Sequence, residues 1–217
     1  MLADMCGWKN ALQAFGMKRV FWLRIKPNSN FISGTFMYSD HTTYSREGSY
    51  LVWPQLMHDR SSALLKSPLL HRKSAKICFS LYYFARPANN KGTVSAFTVR
   101  FVDLTRQTST AEVVNASDLM DWVQYRREFS NLPRTYQFFI ESTYNSAIKS
   151  DIGIDDIRIE NKGCGGDATP TSTTPLPVSE TLLDCNFDRP PCNWDFDKSV
   201  WNVTDFKDRK LIILVIA

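Results

Sequence analysis

The sequence has three histidines, at 41, 58 and 71, and none stands in HExxH or another spacing that would bring two imidazoles to one metal. GxSxG, P-loop and GxGxxG motifs are also absent, which excludes the usual strand-borne nucleophile and phosphate cradles. No catalytic residue is assigned. Long apolar runs are missing too. The first twenty residues lack the roughly 7–15-residue apolar core of a secretory signal, and LIILVIA at 211–217 falls far short of the roughly 20 residues needed to cross a bilayer. This chain therefore holds no membrane span. The formal net charge is +4, with the basic excess before residue 163, yet five consecutive Lys/Arg never occur. The aromatics sit at strand spacing, not beside basic clusters, which argues against nucleic acid.

What is present is strand-like. With 43% hydrophobic and 22% charged residues the composition is that of a globular protein. From 31 to 159 short apolar runs recur between turn signals: FISGTFM, SYLVW, KICFSLYYFA, VSAFTVRFV, VQYRREF, TYQFFIES and IGIDDIRIE. Phe97, Val99 and Phe101 should point one way, and Thr98, Arg100 and Val102 the other. Many such strands without a long amphipathic helix indicate an all-β antiparallel sandwich. NNKG at 89–92 reads as a hairpin turn between two long strands. After Cys164 the sequence becomes rich in Thr, Ser, Pro and Gly, the composition of a linker. The expected organisation is a domain at 1–164, a linker at 165–182 and the truncated start of a second copy at 183–217. Cys6-Gly-Trp8 with Trp22, and Cys192-Asn-Trp194 with Trp201, are the hint of a repeat.

Five cysteines, at 6, 78, 164, 185 and 192, make an odd count. Cys185 and Cys192 stand seven positions apart. If Cys6 is the counterpart of Cys192, its partner belongs just before Met1. On that reading Cys78 pairs with Cys164, Cys185 pairs with Cys192, and Cys6 is left unpaired by truncation. The alternative is five reduced thiols in a cytosolic protein, without the CxxC spacing of a metal site.

Several motifs occur together and in order. They are Cys6-Gly-Trp8; Asp40-His41-Thr42 with Gly48-Ser-Tyr50-Leu51; Ala63 to Pro68-Leu-Leu; Cys78-Phe-Ser-Leu-Tyr-Tyr; Asp121-Trp122; Tyr136 to Glu141; and Ile152-Gly-Ile-Asp155-Asp156-Ile157 before Cys164. In this the chain resembles the MAM domain, the module shared by meprins, neuropilins and adhesion-type receptor tyrosine phosphatases. CNFDRPPCNW at 185–194 resembles the start of another such module. The resemblance implies a jelly-roll sandwich of two antiparallel sheets, with disulfides joining the first cysteine to the second and the third to the fourth. It also implies an extracellular or cell-surface setting, with the signal peptide outside this fragment. The work would be adhesion or contact with protein partners, homophilic ones included. The rival readings are a non-catalytic accessory of an extracellular enzyme and a glycan-binding module.

Asp155 is placed on the strand face of Ile157 and Ile159, where a buried carboxylate requires a cation, a metal or several donors. A structural calcium is one expectation there, with Asp40 as a second oxygen ligand. Backbone N–H groups or an Arg are the other. Trp8, Trp22, Trp53 and Trp122 read as core, against a sugar-stacking platform. Asn115 and Asn202 stand in N-glycosylation sequons.

Overall fold

A computed structural model describes residues 5–11, 18–19, 21–27, 37, 39–54, 61–87, 93–117, 119–148, 150–165 and 181–188. The described strands form two sheets packed face to face as a jelly-roll sandwich. The first has the order β1 (Lys9–Asn10), β5 (Ser61–Lys66), β11 (Thr135–Thr143), β8 (Ser95–Asp103), β9 (Thr108–Asn115), with β2 (Lys18–Arg19) along β5 and β6 (Leu70–His71) along β11. The second has the order β10 (Val123–Ser130), β7 (Lys76–Phe84), β12 (Ile152–Glu160), β4 (Tyr50–Trp53), β3 (Leu23–Ile25), and β13 (Thr181–Cys185) also lies along β12. Every pairing is antiparallel except that of β2 with β5.

Period-two patterning puts the apolar residues between the sheets. On β8, Phe97, Val99 and Phe101 join the core, while Arg100 on the opposite face pairs with Glu141 of β11. An aromatic seam ties the sheets together. Phe79 of β7 lies 4.6 Å from Phe138 of β11, centroid to centroid, and Phe129 of β10 lies 5.1 Å from Phe138 and 5.4 Å from Phe101. Each such pair adds about 0.5–1.5 kcal/mol beyond the area it buries. Trp8, Trp22, Trp53 and Trp122 are all buried, so none is available as a stacking platform.

Strand β12 carries a β-bulge. Between Asp155 and Arg158 its register against β7 slips, so that Asp155 opposes Tyr82 and Arg158 opposes Ser80. The extra residue is accommodated at Asp156, whose φ is 48°, a left-handed conformation that Asp tolerates better than a β-branched residue does. The bulge also flips the parity of the strand. Ile152 and Ile154 face the core before it, Ile157 and Ile159 after it. Asp155 therefore lies on the other face, with Tyr82, rather than on the side of Ile157 and Ile159 as strict alternation requires. It is buried all the same, at 0% exposure.

Three further expectations are corrected. β7 and β8 lie in different sheets, so they do not pair with each other as a hairpin. NNKG itself lies outside the described residues. Cys6 is not an orphan, and Cys185 does not take Cys192: the structure joins Cys6 to Cys185. The physical reason is that β13 pairs along Ile157–Glu160, which brings Cys185 and Phe187 into the core beside Cys6, Trp8 and Trp22. Thr181–Cys185 thus pairs as a strand of this sandwich, where the expected organisation put the end of the linker and the start of a second module. Cys192 and the rest of 189–217 lie outside the described residues, as do 166–180.

The second disulfide, Cys78–Cys164, closes a loop with a sequence separation of 86. In the chain-entropy model such a loop contributes about 4–5 kcal/mol. Cys78→Ala combined with Cys164→Ser should lower the urea unfolding free energy by about that amount, and an unchanged midpoint would contradict it.

Candidate functional site

Polar side chains converge on the outer face of the second sheet, where the bulge of β12 meets the loop 39–50. An apolar patch forms the floor: Tyr50, Val52, Phe84 and Trp122. The Trp122 ring crosses that of Tyr50 edge-on at 5.3 Å, and its Nε1–H donates to the Ser39 carbonyl at 3.1 Å. Gly153 lies against this floor, where a Cβ would meet Trp122 at 3.3 Å.

Above it sit four carboxylates, of Asp40, Asp155, Asp156 and Asp188. Asp40, at 0% exposure, folds the loop around itself. Its Oδ2 accepts the Thr43 N–H at 2.6 Å, and its Oδ1 accepts the Thr43 hydroxyl at 2.7 Å and the Ser45 N–H at 3.3 Å. Asp155 Oδ2 accepts the His41 N–H at 2.9 Å and its Oδ1 the Asp156 N–H at 2.8 Å. The left-handed turn at Asp156 aims that carboxylate back at the loop. There it meets His41 Nδ1 at 2.5 Å and the Thr42 hydroxyl at 2.7 Å. The His41 ring in turn stacks on Tyr82 at 3.4 Å. Asp188, beyond β13, accepts the Ser49 N–H at 2.5 Å. Asp40 and Asp155 thus anchor the same loop from its two sides.

Crowding of carboxylates has an electrostatic consequence. Burial first, then the charges of Asp156 and Asp188, push the Asp155 carboxyl up to about 8, against the pull of the His41 and Asp156 N–H groups. Burial, with Asp40 and Asp156 nearby, raises Asp188 as well. Gly48 completes the arrangement: a Cβ there would stand 2.2 Å from Asp40 Cγ, so the loop closes over the carboxylate only with glycine.

Seven of the eight carboxylate oxygens accept a hydrogen bond from the protein. Asp188 Oδ2, buried without a hydrogen-bond partner among the described residues, is the remaining one. Among the described residues no group of three or more His, Cys, Asp or Glu side chains is placed to hold a metal ion. Backbone N–H groups hold Asp155.

The other sequence-level candidates are dispersed. His71 is exposed on β6, and His58 lies outside the described residues. Asn115 is exposed at the end of β9, and Asn202 lies outside. A depression of about 130 Å³ between β8 and β11, lined by Phe97, Glu141 and Tyr144 among others, is small beside the roughly 300–1,000 Å³ of small-molecule sites. Strict alternation along IGIDDIRIE concealed the part played by Asp156. The signal that was there is a pair of adjacent aspartates inside a β-branched run, where one can take a left-handed bulge position.

Comparison with known proteins gives one family and a set of remote folds. The family model described as MAM domain, meprin/A5/mu matches residues 2–165. Among solved structures, TmCBM61 in complex with β-1,4-galactotriose is 10% identical, with a TM-score of 0.42 over 74% of this chain and 92% of that one. The CBM22-1 xylan-binding domain of Paenibacillus barcinonensis Xyn10C is 12% identical, with a TM-score of 0.38 over 72% and 86%. At these identities and scores the likeness assigns no ligand to this chain.

Two outcomes are expected of the cluster. Gly48→Ala should cost about 1–3 kcal/mol, because the Asp40 carboxylate is held by three donors and cannot yield. In chelator-containing buffer, the raised Asp155 carboxyl binds its proton more tightly folded than unfolded. Its contribution to stability is thus present below the ordinary carboxyl value of 3.8 and is lost as pH rises toward about 8. Melting of the wild type should fall from pH 5 to 8 relative to Asp155→Asn. Parallel profiles would contradict the shift, and a rise in melting temperature with millimolar calcium at pH 8 would overturn the account in which backbone N–H groups hold Asp155.

Proposed function

The chain belongs to the MAM domain, meprin/A5/mu family, and from that premise we propose that it mediates adhesive contact with protein partners, a second copy included, at the cell surface or outside the cell. The observation that carries the proposal is the engagement of the cluster most like a reactive site. His41, Asp40, Asp155 and Asp156 hold a loop onto a sheet, and His41 stacks on Tyr82. With these side chains engaged in fixing the loop, the work falls to the surface. Two disulfides support an oxidising setting, and the exposed Asn115 offers a sequon on the surface. The described residues include no helix long and apolar enough to cross a membrane.

Contacts of this class are individually weak and grow with copy number, because tethered modules meet at high effective concentration. Beads coated densely with the chain should therefore clump or capture cells, while the soluble chain at equal mass should do neither. Inert dense beads, together with glycan-array binding, would replace this reading with carbohydrate recognition.

A further inference from the structure

The segment Thr181–Asp188 is joined to the sandwich only across a long stretch of sequence, and the place it fills is a defined slot. β4 pairs with the first half of β12, at Ile152–Ile154, and β13 pairs with the second half, at Ile157–Glu160. The two strands share one lane beside β12, and β13 completes it. Beyond the strand, Cys185 and Phe187 are each 1% exposed. The Phe187 carbonyl accepts Arg24 Nε–H at 2.6 Å, and Asp188 accepts the Ser49 N–H. Main-chain pairing, one disulfide, one buried aromatic and two end contacts therefore define what the slot recognises, as in strand addition to a sheet edge.

None of these contacts depends on which chain the segment comes from. Residues 166–180, Gly-Asp-Ala-Thr-Pro-Thr-Ser-Thr-Thr-Pro-Leu-Pro-Val-Ser-Glu, are fifteen in number. A stretch of that length reaches at most about 50 Å when extended. That reach allows the segment to enter the slot of a neighbouring copy.

We propose that the slot beside β12 is a strand-exchange site whose partner is Thr181–Asp188 of a second copy of this chain, giving a reciprocal dimer locked by Cys6–Cys185 bonds between copies. The same contacts form within and between copies, so exchange carries little intrinsic cost. Tethering sets the balance: the attached segment is present at millimolar effective concentration, so dilute chains close on themselves and crowded chains exchange. In forming each bond, the Cys6 and Cys185 thiols give up two electrons and two protons to one oxidised glutathione, which leaves as two reduced molecules. Adhesion through other surfaces does not depend on this exchange.

The test uses the whole chain. Equal amounts of unlabelled and ¹⁵N-labelled protein are reduced, unfolded, mixed and refolded in a glutathione redox buffer over a range of concentrations. The disulfide-linked Cys6 and Cys185 peptides are then weighed by mass spectrometry. Matched pairs should dominate in dilute samples. Mixed pairs should rise with concentration toward equal numbers, in a species of dimer size. Matched pairs alone at every concentration, in protein that has regained Cys78–Cys164, would overturn the proposal. A second measurement mixes Cys6→Ser and Cys185→Ser chains, both also carrying Cys192→Ser. A disulfide-linked heterodimer in excess over either homodimer supports exchange, and its absence refutes it.

Discussion

One extra residue in β12 organises the module. Without the bulge, β12 would run as a single alternating strand, and the set that packs in the core before it, Ile152 and Ile154, would be out of phase with Ile157 and Ile159 after it. With it, both halves face the core, and β12 serves two neighbours in turn on one edge, β4 and then β13, while β7 runs along the other. The aromatic seam between β7, β8, β10 and β11 closes the sandwich, but the second sheet is centred on β12.

The same bulge determines the chemistry of the outer face. It turns Asp155 out of the core and Asp156 toward the loop 39–50, so two adjacent carboxylates collect His41 and Thr42 through N–H, ring and hydroxyl donors. Asp40 orders the rest of that loop, and Gly48 makes room for it. The cost is electrostatic: burial first, and then the neighbouring charges of Asp156 and Asp188, push the Asp155 carboxyl up to about 8. The acids and the histidine together act as a clasp that holds the loop onto the sheet.

Much of this was legible in residue order. The period-two runs at Lys76–Phe84, Ser95–Asp103, Val123–Ser130 and Thr135–Thr143 are strands, and the inward set Phe97, Val99 and Phe101 is as alternation requires. β9 was not legible, because Thr108–Asn115 is an exposed strand with little apolar patterning to reveal it. The turn Asp40-His41-Thr42 was visible as a motif, but its docking on Asp155 and Asp156 is a contact across more than a hundred residues, which no local pattern encodes. The partner of Cys6 was misplaced for a related reason. Spacing counts compare positions along the chain, whereas the bond follows from where β13 pairs.

The central claim is that β12 unites its two edge partners and that Thr181–Cys185 is a true strand of this sandwich. Amide hydrogen exchange of the oxidised chain, read by mass spectrometry, tests it most directly, because exchange reports which backbone segments open together. The account predicts that amides of 181–185 are protected alongside those of 157–160, and that selective reduction of Cys6–Cys185 loosens both while 76–84 stays closed. Amides of 181–185 exchanging as fast as open chain, beside a fully protected 152–160, would contradict it.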